Sequence, residues 1–252
     1  MKIALVGYGR MGRAVEAQAE ARGHDVVACL GREQLGEPAE EIARRMSDAD
    51  VAIDFTVASL VPNVVRAAAV ARTHLVTGTT GLEEDAYEAM RGVDGIGVVH
   101  GPNFSIGVHV FFRLARTAAG LIDAVGAYDT HVHEAHHRHK RDHPSGTAVR
   151  LAELLTEGLN AKARWEAGPP DGRADPEVLY VTSTRAGEIP GTHTVGFEGA
   201  HDRIELTHEA RGRDGFAAGA VRAAEWIGGK TGTFTFTEVM DHILDAENGG
   251  AG

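Results

Sequence analysis

The chain has 252 residues, of which 43% are hydrophobic and 24% charged, and its formal net charge is -11. That is the make-up of one large or two modest globular domains with ample core. The acidic balance argues against nucleic acid or anionic membrane as a partner, since either wants a basic face, but it allows a local basic pocket for a small anion.

The first hundred residues alternate regularly. KIALV (2–6) is a buried-strand run, too short to span a membrane and without the cleavage pattern of a secretory signal. A glycine loop follows, then an alanine-rich helix over Met11–Arg22 closed by Gly23. DVVACL (25–30) is a second strand. It carries the single cysteine, Cys29, which cannot make an internal disulfide; a reducing cytoplasm is expected, and a buried side chain. PAEEIARRMS (38–47) predicts a helix with Pro38 at its first position, and VAIDF (51–55) a third strand followed by a helix with Pro62 in its first turn. HLVT (74–77), the loop GTTG, a helix near 83–91 and the strand IGVVH (96–100) complete the series. Strands that are continuous apolar runs between helices imply a parallel sheet covered on both faces.

After GPNFS (101–105) the pattern changes. Ser105–Leu121 predicts a long amphipathic helix, AYDTHVHE (127–134) a half-buried strand, and residues near 145–159 another helix. Residues 160–177 are turn-rich and predicted to be a loop that moves. VLYVTSTR (178–185), THTVGF (192–197) and DRIELTHEA (202–210) follow as three strands in a meander pattern. A helix at Phe216–Ile227, one near 237–245 and a flexible NGGAG tail end the chain. The order implies an α/β fold: a Rossmann-type parallel-sheet domain (1–105 and 214–252) with an α+β domain (106–213) inserted before its last helices.

GYGRMG sets Gly7, Gly9 and Gly12 in G-x-G-x-x-G spacing directly between a strand and a helix. Gly7 permits the tight turn, Gly9 lets backbone approach a pyrophosphate, Gly12 lets helix and strand pack closely, and the helix start faces the negative charge. The loop residues Gly7, Tyr8, Gly9, Arg10, Met11 and Gly12 are therefore candidate dinucleotide ligands. The bland alternative is a tight turn with no ligand. The second strand ends Leu30-Gly31-Arg32, without the acid that reads the ribose hydroxyls of NAD, and Arg32 offers a guanidinium to a 2′-phosphate. This leans toward NADPH, unless Arg32 is simply a solvated loop residue.

HEAHHRHKRDHPSGTA (133–148) holds five histidines, and its first letters match the zinc motif HExxH. That motif works on a helix, whereas His133 and Glu134 close a strand-like alternation, and RHKRDHP has no apolar face to bury. Lys140 and the arginines also oppose a dication, so no metal is expected. Pro144 and Ser145 begin a helix, whose free N–H groups and two hydroxyls point back at the cluster. These donors with Lys140 describe a carboxylate site, and a histidine titrating near neutrality adds a general acid. A solvated basic loop is the bland alternative.

The segment resembles the E-x-H-H-x-x-K-x-D-x-P-S-G-T-A signature of the dihydrodipicolinate reductase family. GRMG (9–12), AIDFT (52–56), VTGTTG (76–81), GPNFSIGV (101–108), RAGEIPGTHTVGF (185–197) and IELTHEARGRDGFAAGAVRAAEWI (204–227) extend the resemblance to nearly the whole chain. Two departures stand out: a glycine loop one residue shorter than is frequent in the family, and Thr182 where many members have histidine.

The resemblance implies reduction of 4-hydroxy-tetrahydrodipicolinate or dihydrodipicolinate to tetrahydrodipicolinate by hydride transfer from NADPH or NADH, in lysine and diaminopimelate synthesis. Carried over by position, it makes His136 the proton donor and Lys140 the group that binds and assists. His137, Ser145, Gly146 and Thr147 would hold the carboxylates of a small cyclic dicarboxylate. Gly78, Thr79 and Thr80, with Gly101, Pro102, Asn103 and Phe104, would line the nicotinamide side, and Phe55 would also bind the cofactor. It also implies a homotetramer built through the second domain's sheet. His131, His133, His139 and His143 are left to local structure or a general positive field. Another Rossmann-type amino-acid dehydrogenase would share the first domain without needing the histidine cluster. A non-catalytic dinucleotide-binding sensor would need no matched acid and carboxylate clamp.

Overall fold

The computed structural model describes residues 1–248, and by its contacts the chain divides into two compact units, Met1–Ile106 with Arg213 onward, and Gly107–Gly212. The first unit runs β1 (Lys2–Val6), α1 (Arg10–Ala21), β2 (Asp25–Leu30), α2 (Arg32–Leu35), α3 (Ala39–Met46), β3 (Val51–Asp54), α4 (Val61–Ala71), β4 (His74–Thr77), α5 (Glu84–Arg91) and β5 (Gly97–His100). The second runs from α6 (Ile106–Val125) through β6 (Tyr128–His136), α7 (Gly146–Gly158), β7 (Arg164–Ala167), β8 (Val178–Arg185), β9 (Thr192–Gly199) and β10 (Arg203–Glu209). The chain then returns to the first unit with α8 (Asp214–Ile227), β11 (Gly232–Thr235) and α9 (Phe236–Asn248). The expected tail beyond 248 lies outside the described residues.

The first sheet is parallel throughout, in the order β11-β5-β4-β3-β1-β2. Each central strand buries both of its faces, which is why it reads as an unbroken apolar run. Ala4, Val6, Ala52, Leu75 and Val98 pack with α3, α4 and α5. Ile3, Leu5, Val51, Ile53, Val76 and Val99 pack with α1, α8 and α9. This is the doubly covered Rossmann-like sheet expected, with two corrections. β11 is a sixth strand that GTFT did not announce: four residues on an edge, two of them half-buried, carry too little apolar signal. β2 is the opposite edge, and its residues alternate in exposure, so Cys29 is exposed rather than buried.

The second sheet is mixed, in the order β10-β9-β6-β8-β7. β9 pairs antiparallel with β10 and β6, and β8 pairs parallel with β6 and β7. The expected three-strand meander is therefore only its second hairpin, because β6 lies between β8 and β9. The predicted loop 160–177 also contains a strand, β7, held in part by Lys162, whose buried Nζ donates to Asp129 Oδ1 (2.5 Å), Pro176 O (2.9 Å) and Val178 O (3.1 Å). One face of this sheet is covered: Val132, Val181, Val195 and Phe197 pack against Phe111 and Ala115 of α6 and Leu151 and Leu155 of α7. On β6 that covered face carries Thr130, Val132, Glu134 and His136 in alternation. The strand thus runs two residues past its expected end and places His136 on a strand rather than in a loop.

Among the described residues no helix is long and apolar enough to cross a membrane.

Candidate active site

In the first unit the glycine loop joins β1 to α1 as its sequence required. Gly7 has φ +90°, and a Cβ there would meet Phe55 O at 2.6 Å. A Cβ on Gly12 would meet Gly7 O at 2.5 Å, whereas one on Gly9 would meet nothing within 4 Å. Two glycines thus close the turn, and the third, which caps α1, leaves its backbone open to an incoming phosphate. Tyr8 is hydrogen-bonded to Glu16, and Arg10 and Arg13 lie exposed on the first turn of α1. Arg32 is exposed too, as the first residue of the short α2, with Gly31 as its N-cap; the strand end thus leads into a helix turn, not a loop.

Asp54, fully buried at the end of β3, organises the neighbouring loops. Thr77 Oγ1 (2.6 Å) and Thr79 Oγ1 (2.9 Å) donate to its Oδ2, and the Thr56 amide (3.1 Å) to its Oδ1. Burial raises the Asp54 pKa above its ordinary value, against those hydrogen bonds. Thr79 is thereby committed inside the protein, while Thr80 beside it is exposed. The Phe55 ring lies directly against Gly78, and Gly101 donates its amide to Thr77 O (3.3 Å). Phe104 is 1% exposed and packs on Phe236 (4.4 Å between centroids), so its side chain belongs to the core. Pro102 is exposed and Asn103 half-buried, its Oδ1 accepting from the Ser105 amide (2.8 Å). Apart from Thr79 and Phe104, whose side chains are buried, these loop residues offer backbone and partly exposed side chains to a nucleotide.

In the second unit a carboxylate sits at the centre of the cluster. Glu134 is 0% exposed. Arg185 Nη1 (2.9 Å) and Nη2 (2.7 Å) grip its two oxygens, and the Ser145 amide donates to Oε1 (3.2 Å). His136 Nδ1 lies 2.5 Å from Oε2. Burial opposes ionisation of Glu134, but hydrogen bonds from Arg185, Ser183 and His136 outweigh it and lower its pKa to about 2. An ionised carboxylate can only accept, so the proton of the neutral His136 ring stays on Nδ1, and Nε2 is the atom that gains and loses a proton. Burial lowers the His136 pKa, with Lys140 and Arg185 adding to the fall and Glu134 opposing it. In this pair the ion pairing prevails at the carboxylate and desolvation at the imidazole.

Sheet register explains the convergence. His136 lies opposite Arg185 on β8, and Glu134 lies between Ser183 on β8 and His193 on β9. Gly191, with φ +144°, runs past the His136 ring, and a Cβ there would meet Nε2 at 2.9 Å. Ser145 caps α7: its Oγ accepts from the Ala148 amide (3.3 Å) and lies 2.9 Å from His193 Nε2. His193 is buried, meets His136 edge to face at 5.1 Å, and has its pKa lowered to about 3 by burial and by the neighbouring His136, His208 and Lys140. Lys140, with a quarter of its side chain exposed, pairs with Asp142 (2.8 Å). Arg185 Nη2 also donates to Asp142 O (2.6 Å), tying that loop to Glu134. His137 is half-buried, Gly146 exposed with open space beside it, and Thr147 half-buried at the helix start.

The second unit thus brings together His136, Ser145 and Lys140 as the sequence suggested, and corrects one detail. The Ser145 amide is spent on Glu134 rather than free for a ligand. Glu134, Arg185 and His193 were missed as site residues. The first four residues of HEAHH lie on β6, with His133 on the opposite face bonded to Thr182 (2.8 Å) and Glu134 engaged by Arg185. Among the described residues no group of three His, Cys, Asp or Glu side chains is placed to hold a metal ion.

Comparison with known proteins agrees with this arrangement. The family model "Dihydrodipicolinate reductase, N-terminus" matches residues 1–104, and "Dihydrodipicolinate reductase, C-terminus" matches 107–240. The 4-hydroxy-tetrahydrodipicolinate reductase of Christiangramia forsetii is 37% identical over 97% of this chain and 99% of its own. That of Archaeoglobus fulgidus is 36% identical over 96% of this chain and all of its own. Among solved structures, a dipicolinate-bound dihydrodipicolinate reductase from Paenisporosarcina sp. TG-14 superposes with a TM-score of 0.72 at 20% identity, over 93% of this chain and 97% of that one. With both halves matched in order and over almost their whole length, the chain belongs to the dihydrodipicolinate reductase family.

Proposed function

We propose that His136 is the proton donor in this enzyme and that the start of α7, with Lys140 and His137, holds the substrate's carboxylates. The activity is that of the family: reduction of dihydrodipicolinate, or of 4-hydroxy-tetrahydrodipicolinate with loss of its hydroxyl as water, to tetrahydrodipicolinate with NADPH or NADH, in lysine and diaminopimelate synthesis. When bound, the reduced nicotinamide supplies the hydride. The glycine loop, with Gly9 open and Gly7 and Gly12 closely packed, fits its pyrophosphate. Arg32 reads a 2′-phosphate, and the loops around Thr80 and Pro102 flank the nicotinamide. His136 then gives its Nε2 proton to the ring carbon that has gained charge, while Ser145, Gly146, Thr147 and Lys140 fix the carboxylates of a small cyclic dicarboxylate. The observation that carries this reading is the 2.5 Å contact of His136 Nδ1 with a carboxylate that Arg185 keeps ionised, which assigns the exchanging proton to Nε2.

His136→Gln tests it. Loss of a general acid lowers turnover by roughly 10²–10⁴ and leaves nucleotide affinity intact. Lys140→Ala raises the substrate's Michaelis constant, and His133→Ala, on the far face of β6, changes little. A His133 variant as damaging as the His136 one, with normal folding, would overturn the assignment. A cytoplasmic location and a homotetramer complete the reading. The uncovered face of the second sheet, with His131, His133, Thr182 and Thr194 only half-buried, supports assembly through that sheet, and sedimentation of the purified chain tests it.

A further inference from the structure

Ser145 Oγ has two lone pairs and one proton to place, and its neighbours inside the protein are few. The Ala148 amide donates to it, and His193 Nε2 lies 2.9 Å away. His193 is 5% exposed, and its other nitrogen, Nδ1, is buried with no protein partner. A neutral imidazole carries one proton, on one nitrogen or the other. On Nδ1 that proton would be a buried N–H without an acceptor, and the Ser145 hydroxyl would have to donate back to Nε2. Stranded buried N–H groups are the rarer kind of unpaired group. On Nε2 the proton is donated to Ser145 Oγ. Both lone pairs of the hydroxyl are then taken, and its own proton can only be given away.

We propose that His193 is a positioning residue that turns the Ser145 hydroxyl outward, as a fixed donor to a carboxylate of the substrate. The inference rests on the reading of the α7 start as the carboxylate site. His193 stays neutral through the working pH range, since burial and the nearby Lys140 outweigh the pull of Glu134, so the orientation does not switch. The ring also stands edge-on to His136, which places the carboxylate donor and the proton donor against one rigid partner.

The test uses the full-length enzyme and inhibition by pyridine-2,6-dicarboxylate, with nucleotide affinity and thermal midpoint measured beside it. Ser145→Ala and His193→Leu should each weaken the inhibitor about tenfold, the scale of one hydrogen bond to a charged group, and leave NADPH affinity unchanged. The double variant should lose no more than Ser145→Ala alone, because His193 acts through that hydroxyl. His193→Gln, whose amide nitrogen reaches as far as Nε2, should restore binding to within about threefold, whereas His193→Asn, which reaches only as far as Nδ1, should not. If Ser145→Ala binds the dicarboxylate as wild type does, the carboxylate-site reading itself fails. If Ser145→Ala is weakened but His193→Leu is not, or the two losses multiply, the role given to His193 is wrong. Should His193→Leu fail to fold, the Gln and Asn pair decides: equal binding by both overturns the proposal.

Discussion

Nδ1 of His136 lies 2.5 Å from Oε2 of Glu134, two residues earlier on the same face of β6. A strand alternates its side chains, so residues two apart are neighbours without any loop to hold them. The carboxylate raises the imidazole's pKa, while burial, Lys140 and Arg185 lower it. Glu134→Gln removes the raising influence and keeps the others. His136 then loses its proton at lower pH, and the high-pH limb of kcat/KM for the ring substrate moves toward acid. Lys140→Met should move it the other way. A limb that stays in place in both variants would show that His136 is not the titrating acid.

Glu225 on α8 accepts from Arg22 (2.7 and 2.8 Å), His24 (2.9 Å) and Arg222 (3.1 Å). Burial opposes its ionisation, but these donors prevail and lower its pKa to about 2 from the ordinary 4.5. A carboxyl depressed in the folded state stabilises it fully above the unfolded pKa and loses that contribution as pH falls toward the folded one. The contribution is on the order of 3 kcal/mol. Urea unfolding of Glu225→Gln should show that loss at pH 7 and almost none at pH 2.

Asp54 joins β3 to the loop after β4 through Thr77 and Thr79. Asp54→Ala leaves the two buried hydroxyls of Thr77 and Thr79 without their acceptor, at about 1–3 kcal/mol each, while the Thr56 amide keeps Thr79 Oγ1. The GTTG loop should loosen, raising the Michaelis constant for NADPH about tenfold and speeding amide exchange over residues 76–81, with the ring substrate's constant little changed. Unaltered exchange there would remove Asp54 from this role.

Arg32→Ala should raise the Michaelis constant for NADPH and leave that for NADH nearly unchanged. Equal effects on both nucleotides would mean that Arg32 does not touch the 2′-phosphate.

What could be read beforehand was local. Gly7, Gly9 and Gly12 act within one turn, and PSGT forms its helix start from adjacent residues, so strings of letters carried both. Arg185, by contrast, reaches Glu134 across 51 residues, and His193 meets Ser145 across 48. Those contacts exist because β6 lies between β8 and β9, and no periodicity in VLYVTSTR or THTVGF states which strand is its neighbour. The same ambiguity made β8 to β10 look like a meander. Cys29 was misplaced for a related reason: the run DVVACL looks alike in the middle of a sheet and at its edge.

The first unit takes five of its six strands from the start of the chain, and two of the three helices of one cover from the end. Ala217, Ala220, Val221, Ala223, Ala224 and Ile227 of α8, with Phe236, Val239 and Met240 of α9, fill the side of the sheet lined by Ile3, Leu5 and Ile53. During translation, then, five strands leave the ribosome with one apolar side covered only by α1. They must wait while all of Gly107–Gly212 is made, roughly 5 to 20 s at usual elongation rates. The intervening unit is contiguous and has every residue of its core before α8 emerges. The nascent chain can therefore complete its middle first and its beginning last, and a message cut short anywhere before α8 yields a nucleotide domain with only α1 over one side of its sheet.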